Sequence, residues 1–177
     1  MTDIALPAVR LSRRSLIVAS GLSLLPTGCA SAELPPSRSS RHLGAPLPAF
    51  NGVTVNGSEF DSNSSRGLVL FVEFFEGTED SRALADAGTL YANHRELVIV
   101  GISLDQRIES ARGFVSRNEV RFPVLFDPER TVAERLGVAG PGTGLAVDRR
   151  GILRWVGDPS RPGVVRDATE ALLSERA

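Results

Sequence analysis

The sequence predicts a single α/β domain in which a mixed β-sheet is flanked by helices. Two nearly continuous apolar runs, 68–75 and 97–102, are rich in β-favouring residues, as in strands that are covered on both faces. Each run is followed by a segment whose apolar residues recur at helical spacing. Near the end of the chain, two shorter apolar segments flank a polar turn, which is typical of an antiparallel hairpin. Strands that alternate with helices and end in a hairpin favour such a mixed sheet.

The first half of the domain divides into four elements. The Asn56-Gly57 dipeptide predicts a two-residue turn between two short strands. The run 68–75 is the expected central parallel strand. A helix is predicted from about residue 79 to 94, because Thr78 can cap its start and apolar residues follow at helical spacing. A second amphipathic helix after the strand 97–102 has four apolar residues on one face, namely Ile108, Ala111, Phe114 and Val115.

The second half begins with a third short strand, 122–126. A helix is predicted next, with Asp127 as its cap and Pro128 at its first position, and it should stop at Gly137. The segments 144–147 and 152–156, joined by a polar turn, make the terminal hairpin. A last helix is expected over 164–173.

The N-terminal 28 residues have the pattern of an export signal. Arg13 and Arg14 precede a short apolar run over 16–25, which is too short to span a bilayer. The paired arginines resemble the signal of the Tat route, and the ending Thr27-Gly28-Cys29 resembles a bacterial lipobox, from which Pro26 departs. The alternative is an ordinary secretory signal with a cysteine there by chance.

A lipobox implies that Cys29 becomes acylated and ties the protein to a membrane. We therefore expect a periplasm-facing lipoprotein of the bacterial cell envelope, and Ala30 after the cysteine favours the outer membrane. Residues 29–43 are rich in Ser, Pro and Arg, so they are predicted to form a flexible tether to a domain over 44–177.

Composition excludes several function classes. The net charge is -1 and the domain has no basic run, so we do not expect it to bind nucleic acid. A single cysteine permits neither an internal disulfide nor a thiolate metal site, and His42 and His94 are isolated, so no metal or cofactor is expected. A hydrolase that uses Ser81 and His94 is not expected, because the two residues lie more than three helical turns apart and their side chains cannot contact each other. The glycine-rich stretch 140–144 precedes a strand and so does not match a phosphate-binding loop.

Four segments in this order, 71–75, 98–105, 122–128 and 147–153, resemble the thioredoxin-like redoxins. The nearest subgroup is the AhpC/TSA peroxiredoxin and TlpA-type branch. The resemblance covers about residues 44–157 and implies a thioredoxin-like fold. It does not by itself imply an activity, because function depends on the site.

In redoxins the reactive thiol lies where the central strand turns into the first helix, since the helix N-terminus lowers the thiol pKa. Here that position is 76–82. Aligned without a gap, Glu79 and Arg82 replace the two cysteines; with one residue deleted, Thr78 and Ser81 replace them. We prefer the second alignment, because redoxins often carry a basic residue after the second cysteine. Neither contains a thiol, and a serine hydroxyl forms no disulfide and is hardly ionised at neutral pH.

A second landmark of the resemblance is a cis-proline, usually followed by threonine, in the loop facing the active site. In this chain Gly142 stands beside Thr143, and Pro141 is one place early. We expect the cis-proline to be lost or the loop to be remodelled. The loop also lacks the arginine with which peroxiredoxins activate peroxide.

Glu73 falls where thioredoxins carry a buried carboxylate that accepts a proton from the inner thiol. Because there is no thiol that could donate a proton to it, a buried glutamate must form a hydrogen bond or ion pair, have a raised pKa, or lie at a solvent-exposed edge of the domain. We interpret its role as structural rather than catalytic.

Two functions remain open. The first, which we favour, is a redox-inactive lipoprotein that binds a protein, peptide or small ligand in the former substrate cleft and has no enzyme activity. The alternative is a thiol-dependent antioxidant or oxidoreductase, of the peroxiredoxin or thiol-disulfide type, that uses a cysteine of its partner. The residues predicted to line the cleft are Phe75, Glu76, Thr78, Ser81, Pro141, Gly142 and Thr143.

Overall fold

The sheet is built around strand β3 (Val69–Phe75), whose seven residues are all buried. A computed structural model describes residues 32–77 and 82–175 of the chain. The other strands are β1 (Asn51–Val53), β2 (Glu59–Asp61), β4 (Leu97–Ser103), β5 (Val124–Phe126), β6 (Thr143–Val147) and β7 (Leu153–Gly157). The helices are α1 (Arg82–Asn93), α2 (Ile108–Arg117), α3 (Thr131–Leu136) and α4 (Val164–Ser174), and a short 3-10 helix spans Ser62–Ser65.

Five strands form the main sheet, in the order β5-β4-β3-β6-β7. Strands β3, β4 and β5 run parallel to one another, whereas β6 pairs antiparallel with both β3 and β7. The predicted mixed sheet with a terminal hairpin is therefore confirmed. Strands β1 and β2 pair separately as a small antiparallel ribbon.

Alternate residues of β3 point to opposite faces, and each face has its own apolar core. Phe71 and Phe75 pack in the core that includes side chains of α1, α2 and α4. Val72 and Phe74 pack in the core that includes side chains of α3. Covering both faces explains why β3 is an unbroken apolar run.

The hairpin around Asn56-Gly57 forms, but its loop is longer than predicted. Strand pairing ends at Val53 and Glu59, and the five residues 54–58 connect the strands. Gly57, with a φ of 85°, closes a turn by donating its N–H to the carbonyl of Thr54 at 2.8 Å. The extra length lets Val55 become buried and donate its N–H to Val124 of β5. The loop thereby docks on an edge of the main sheet.

The helix predicted to begin at Pro128 begins at Thr131 instead. Arg130 has a φ of 58°, so the chain turns once more before the helix starts. The Asp127 carboxylate nevertheless caps the helix, because it accepts the N–H groups of Val132 and Ala133 at 3.0–3.2 Å. The helix ends at Gly137, as predicted, with a φ of 72°.

Much of the predicted tether lies against the domain, which corrects the prediction of a flexible segment over 29–43. We refer to residues 34–47 as the N-terminal strap. Leu34 packs on the core, Arg38 donates its N–H to the Val156 carbonyl, and Gly44 donates to that of Leu153 at 2.8 Å. The strap therefore satisfies polar groups along the outer edge of β7 that would otherwise be exposed.

Among the described residues, no helix is both long and apolar enough to cross a bilayer. The same part of the chain contains no group of three or more His, Cys, Asp or Glu residues arranged to hold a metal ion. The predicted signal sequence and Cys29 lie outside the described residues.

Candidate functional site

The turn that follows β3 is held by Asp105, which lies just after the end of the neighbouring strand β4. The N–H of Gly77 donates to both carboxylate oxygens of Asp105, at 3.2 and 3.1 Å. The Ser103 hydroxyl donates to the same carboxylate at 2.8 Å. The N–H of Gly77, two residues beyond the end of β3, is therefore already occupied by an anionic side chain.

Glu76, in the same turn, forms an ion pair with Arg130. Its Oε1 lies 3.2 Å from Arg130 Nη2, and both side chains are a little over one-third exposed. A second nitrogen of the guanidinium donates to the carbonyl of Ala139 at 3.3 Å. Arg130 thus links the turn after β3 to the loop that precedes β6.

A cavity of about 440 Å³ is lined in part by Glu73 of β3 and Ala83 of α1. Five parts of the chain contribute to it: the strap, β3, the start of α1, the loop before β6 and the loop after β7. We call it the Glu73 pocket, because Glu73, a residue that is 3% exposed, belongs to its lining. The other lining residues are Arg38, Ala83, Pro141, Gly142, Asp158, Pro159 and Ser160.

The loop after β7 is fixed around Asp158. Its Oδ1 accepts the N–H and the hydroxyl of Ser160 at 3.0 and 2.7 Å. Its Oδ2 lies 3.5 Å from Nη2 of Arg38 in the strap. The bonds from Ser160, helped by Arg38 and opposed by partial burial, lower the pKa of Asp158 below its ordinary value. Asp158 is therefore ionised at neutral pH.

The loop before β6 is bound tightly to the sheet. Gly142, with a φ of 65°, donates its N–H to the Phe74 carbonyl at 2.9 Å. The Thr143 hydroxyl donates to the Gly140 carbonyl at 3.1 Å. No described peptide bond is cis, so the bond preceding Pro141 is trans.

The structure brings only part of the predicted cleft together. Of the residues predicted to line the cleft, Pro141 and Gly142 line the pocket, which also includes Glu73, predicted only as a buried acid. Phe75 points into the core, where its ring centroid lies 5.0 Å from that of Phe114. Glu76 faces Arg130, whereas Thr143 pairs with Phe74 across the sheet.

Thr78 and Ser81, the positions aligned with the redoxin thiols, lie outside the described residues, as does Cys29. Sequence reasoning missed Arg38, Ala83, Asp158 and Ser160. The polar Asp-Pro-Ser segment directly after a predicted strand was a usable signal for 158–160, since loops at strand ends often carry binding residues. Nothing local marked Arg38.

A second cavity, of about 320 Å³, lies at the opposite end of β3. It is lined by residues 46–49, by the 3-10 helix region and by the turn between β6 and β7. Asp148 in that turn is held by hydrogen bonds from Ile152, Arg154 and Arg150. This cavity is remote from the turn after β3, so we do not assign it to the same site.

The profile of the AhpC/TSA family matches residues 43–156, which is more than half of the sequence. This chain belongs to the AhpC/TSA family. Among curated protein sequences, none matches the chain.

Solved structures of thiol-disulfide proteins share the fold of this AhpC/TSA domain. A thiol:disulfide interchange protein of the thioredoxin family from Chlorobium tepidum TLS is 24% identical over 76% of this chain and 99% of its own, with a TM-score of 0.60. MTB dsbF is 22% identical over 71% and 95%, with a TM-score of 0.61. A secreted Mycobacterium tuberculosis disulfide oxidoreductase homologous to E. coli DsbE is 18% identical over 69% and 93%, with a TM-score of 0.60. At these identities, the likeness shows the thioredoxin-like fold alone.

The AhpC/TSA match contains no cysteine. The one cysteine of the chain, Cys29, precedes the matched residues 43–156. The domain therefore has the redoxin fold, while no residue within the match can supply a thiolate.

Proposed function

We propose that this AhpC/TSA domain is a redox-inactive binding or accessory protein, tethered to the bacterial cell envelope through a lipid on Cys29. The absence of cysteine from the matched region carries the proposal. Disulfide exchange and thiol peroxidase chemistry both need a thiolate, and neither serine nor threonine provides one.

The electrostatics of the turn after β3 support the same proposal. A redoxin thiolate is stabilised by backbone N–H groups and by the positive end of a helix. Here the N–H of Gly77 is bound by the Asp105 carboxylate, and the cation in the turn, Arg130, is paired with Glu76. Both groups are already used by carboxylates of the domain, so they suit a site that does not stabilise a thiolate.

The Glu73 pocket is the binding site in this proposal. It lies beside the loop that contains Pro141, on the side of the domain where the redoxin resemblance places the substrate cleft. Its volume of about 440 Å³ is within the range of about 300–1,000 Å³ for small-ligand pockets. We propose that it receives part of an extended polypeptide.

Redox assays test the proposed inactivity. Purified protein and its Cys29→Ser variant, which has no cysteine, would be compared in insulin reduction with dithiothreitol and in peroxide consumption. We expect both proteins to match the buffer blank. Activity above the blank that persists in Cys29→Ser would overturn the proposal and favour the alternative, an oxidoreductase that works with its partner's cysteine.

Export and lipidation have their own test. We expect the protein to incorporate labelled palmitate and to partition into the detergent phase of Triton X-114, and we expect Cys29→Ser to lose both properties. Replacing Arg13 and Arg14 by lysine should block export if the Tat route is used. Labelling that is retained in Cys29→Ser would rule out this anchor.

A further inference from the structure

The N-terminal strap enters the domain at the end where the Glu73 pocket lies. The strap runs antiparallel to β7, because Arg38 donates its N–H to the Val156 carbonyl and Leu47 donates to that of Gly151. The first residues of the strap therefore lie beside the C-terminal end of β7. Since β6 is antiparallel to both β7 and β3, the C-terminal ends of β3 and β7 lie at one end of the sheet. We call this the pocket end, because Arg38 and the loop after β7 line the pocket there.

Only a short piece of chain separates Cys29 from the strap. Leu34 packs on the core, and the Pro36 carbonyl accepts the ring N–H of Trp155 at 3.3 Å. The five peptide steps from Cys29 to Leu34 span at most about 18 Å. A domain of about 140 residues has a diameter of about 35 Å. An acyl group on Cys29 therefore cannot reach the membrane if the opposite end of the domain, where β3 and β4 begin, is turned toward it.

The charges at the pocket end favour a polypeptide over lipid headgroups as the occupant of the pocket. Anionic headgroups attract clusters of several Lys or Arg residues. Among the described lining residues the one cation is Arg38, which is paired with Asp158 at 3.5 Å. Arg130, in the turn nearby, is likewise paired with Glu76. Both guanidinium groups are thus already neutralised by carboxylates of the domain.

We propose that the pocket end of the domain faces the bilayer, and that the Glu73 pocket binds a segment of a membrane-spanning protein just outside the lipid. This inference rests on the proposed function, from which it takes the lipid on Cys29, and it names the class of partner. The short chain before the strap gives the orientation, and the orientation gives the pocket access to polypeptide at the membrane surface.

Energy transfer from tryptophan to dansyl headgroups of vesicles tests the orientation. The chain has one cysteine, so a maleimide-bearing lipid couples the full-length protein at Cys29 whether or not cells acylate that residue. The chain also has one tryptophan, and Trp155→Phe removes it. In this background, Ser160→Trp places the donor at the rim of the pocket. The matched control, Arg95→Trp, places the donor on an exposed residue just before β4, at the opposite end.

Transfer from position 160 should be at least about twofold more efficient than from position 95, because about one domain diameter separates the two ends. Inserting twenty Gly and Ser residues between Ala32 and Glu33 should remove this difference, since the tether then lengthens by up to about 70 Å. Circular dichroism shows whether Trp155→Phe folds. If it does not, Trp155 itself is the donor, and its transfer should fall on insertion. Equal transfer from positions 160 and 95 with the native tether, or an unchanged Trp155 signal, would overturn the orientation.

Photo-cross-linking in cells that export the protein tests the partner. A benzophenone side chain is placed at position 160 or, as the control, at position 95, and the adducts are identified by mass spectrometry. We expect a membrane-spanning protein to be captured from position 160 and not from position 95. Lipid adducts at position 160 would refute a polypeptide partner while sustaining the orientation. Adducts with soluble proteins alone, or no adducts, would refute the membrane source, and palmitate labelling shows separately whether Cys29 carries its lipid.

Discussion

Arg149 anchors the end of the last helix, and its replacement by alanine should be among the most damaging arginine substitutions in the domain. Its Nη1 donates to the carbonyls of Leu172 and Glu175 at 3.0 and 2.9 Å. Its Nη2 donates to the carbonyl of Leu173 at 3.2 Å and to the Glu96 carboxylate at 2.6 Å. The Arg149 side chain, which is 17% exposed, thus donates hydrogen bonds to carbonyls at the C-terminal end of α4 that have no partner within the helix.

The expected cost follows from these contacts. Hydrogen bonds to a charged group contribute about 1.5–3 kcal/mol each, but bonds that share one guanidinium are not additive. Water can replace part of the lost bonding at the helix end, and Glu96 is too exposed, at 67%, for its ion pair to add much. A cation at a helix C-terminus adds about 0.3–1 kcal/mol. We expect Arg149→Ala to lower the free energy of unfolding by about 2–3 kcal/mol, equivalent to about 8–12 °C in Tm.

The neighbouring arginine provides a matched control. Arg150 is 77% exposed, and its guanidinium lies 3.4 Å from Asp148. The backbone N–H of residue 150, which donates to the same carboxylate, would survive in Arg150→Ala. Urea unfolding of both variants should show a loss below about 0.5 kcal/mol for Arg150→Ala. A loss below about 1 kcal/mol for Arg149→Ala, or equal losses in the two variants, would refute the reasoning.

Three further predictions concern stability. Burial alone would raise the pKa of Asp148, but hydrogen bonds from Ile152, Arg154 and Arg150 outweigh it and lower that pKa. The ionised Asp148 should therefore stabilise the fold fully above about pH 4, and this stabilisation should be lost as the pH falls through the lowered folded-state pKa. Urea unfolding should show a smaller difference in the free energy of unfolding between the wild type and Asp148→Asn at pH 3 than at pH 7. Gly157→Ala would push a Cβ into the buried ring of Trp155, so thermal melts should show that the free energy of unfolding falls by about 1–3 kcal/mol. The tryptophan emission should shift as well. An unchanged Tm would contradict this contact. Gly88 lies within α1 with open space at its Cβ position, so Gly88→Ala should stabilise the protein by about 0.5–1 kcal/mol in the same melts, and a lowered Tm would count against it.

Local patterns were sufficient for most of the fold and for part of the site. The run that became β3 and the repeated apolar spacing of α1 and α2 gave the elements their type, because periodicity records which faces are buried. The predicted ends of the elements were wrong where contacts between elements shift them. The hairpin loop lengthened because Val55 docks on β5, and α3 started late because Arg130 takes a left-handed turn.

The sequence by itself determined the family and the absence of cysteine from the matched residues 43–156, since a thiol that is not encoded cannot be supplied by folding. It also indicated Pro141 and Gly142 as part of a cleft, through the redoxin resemblance, and both residues line the observed pocket. Only the tertiary structure decided that Arg38 reaches Asp158, at a separation of 120 positions, and that the segment resembling a tether straps the edge of β7. Such contacts depend on which strand edge is left open once the sheet has assembled, and no periodicity in a polar, proline-rich segment records that geometry.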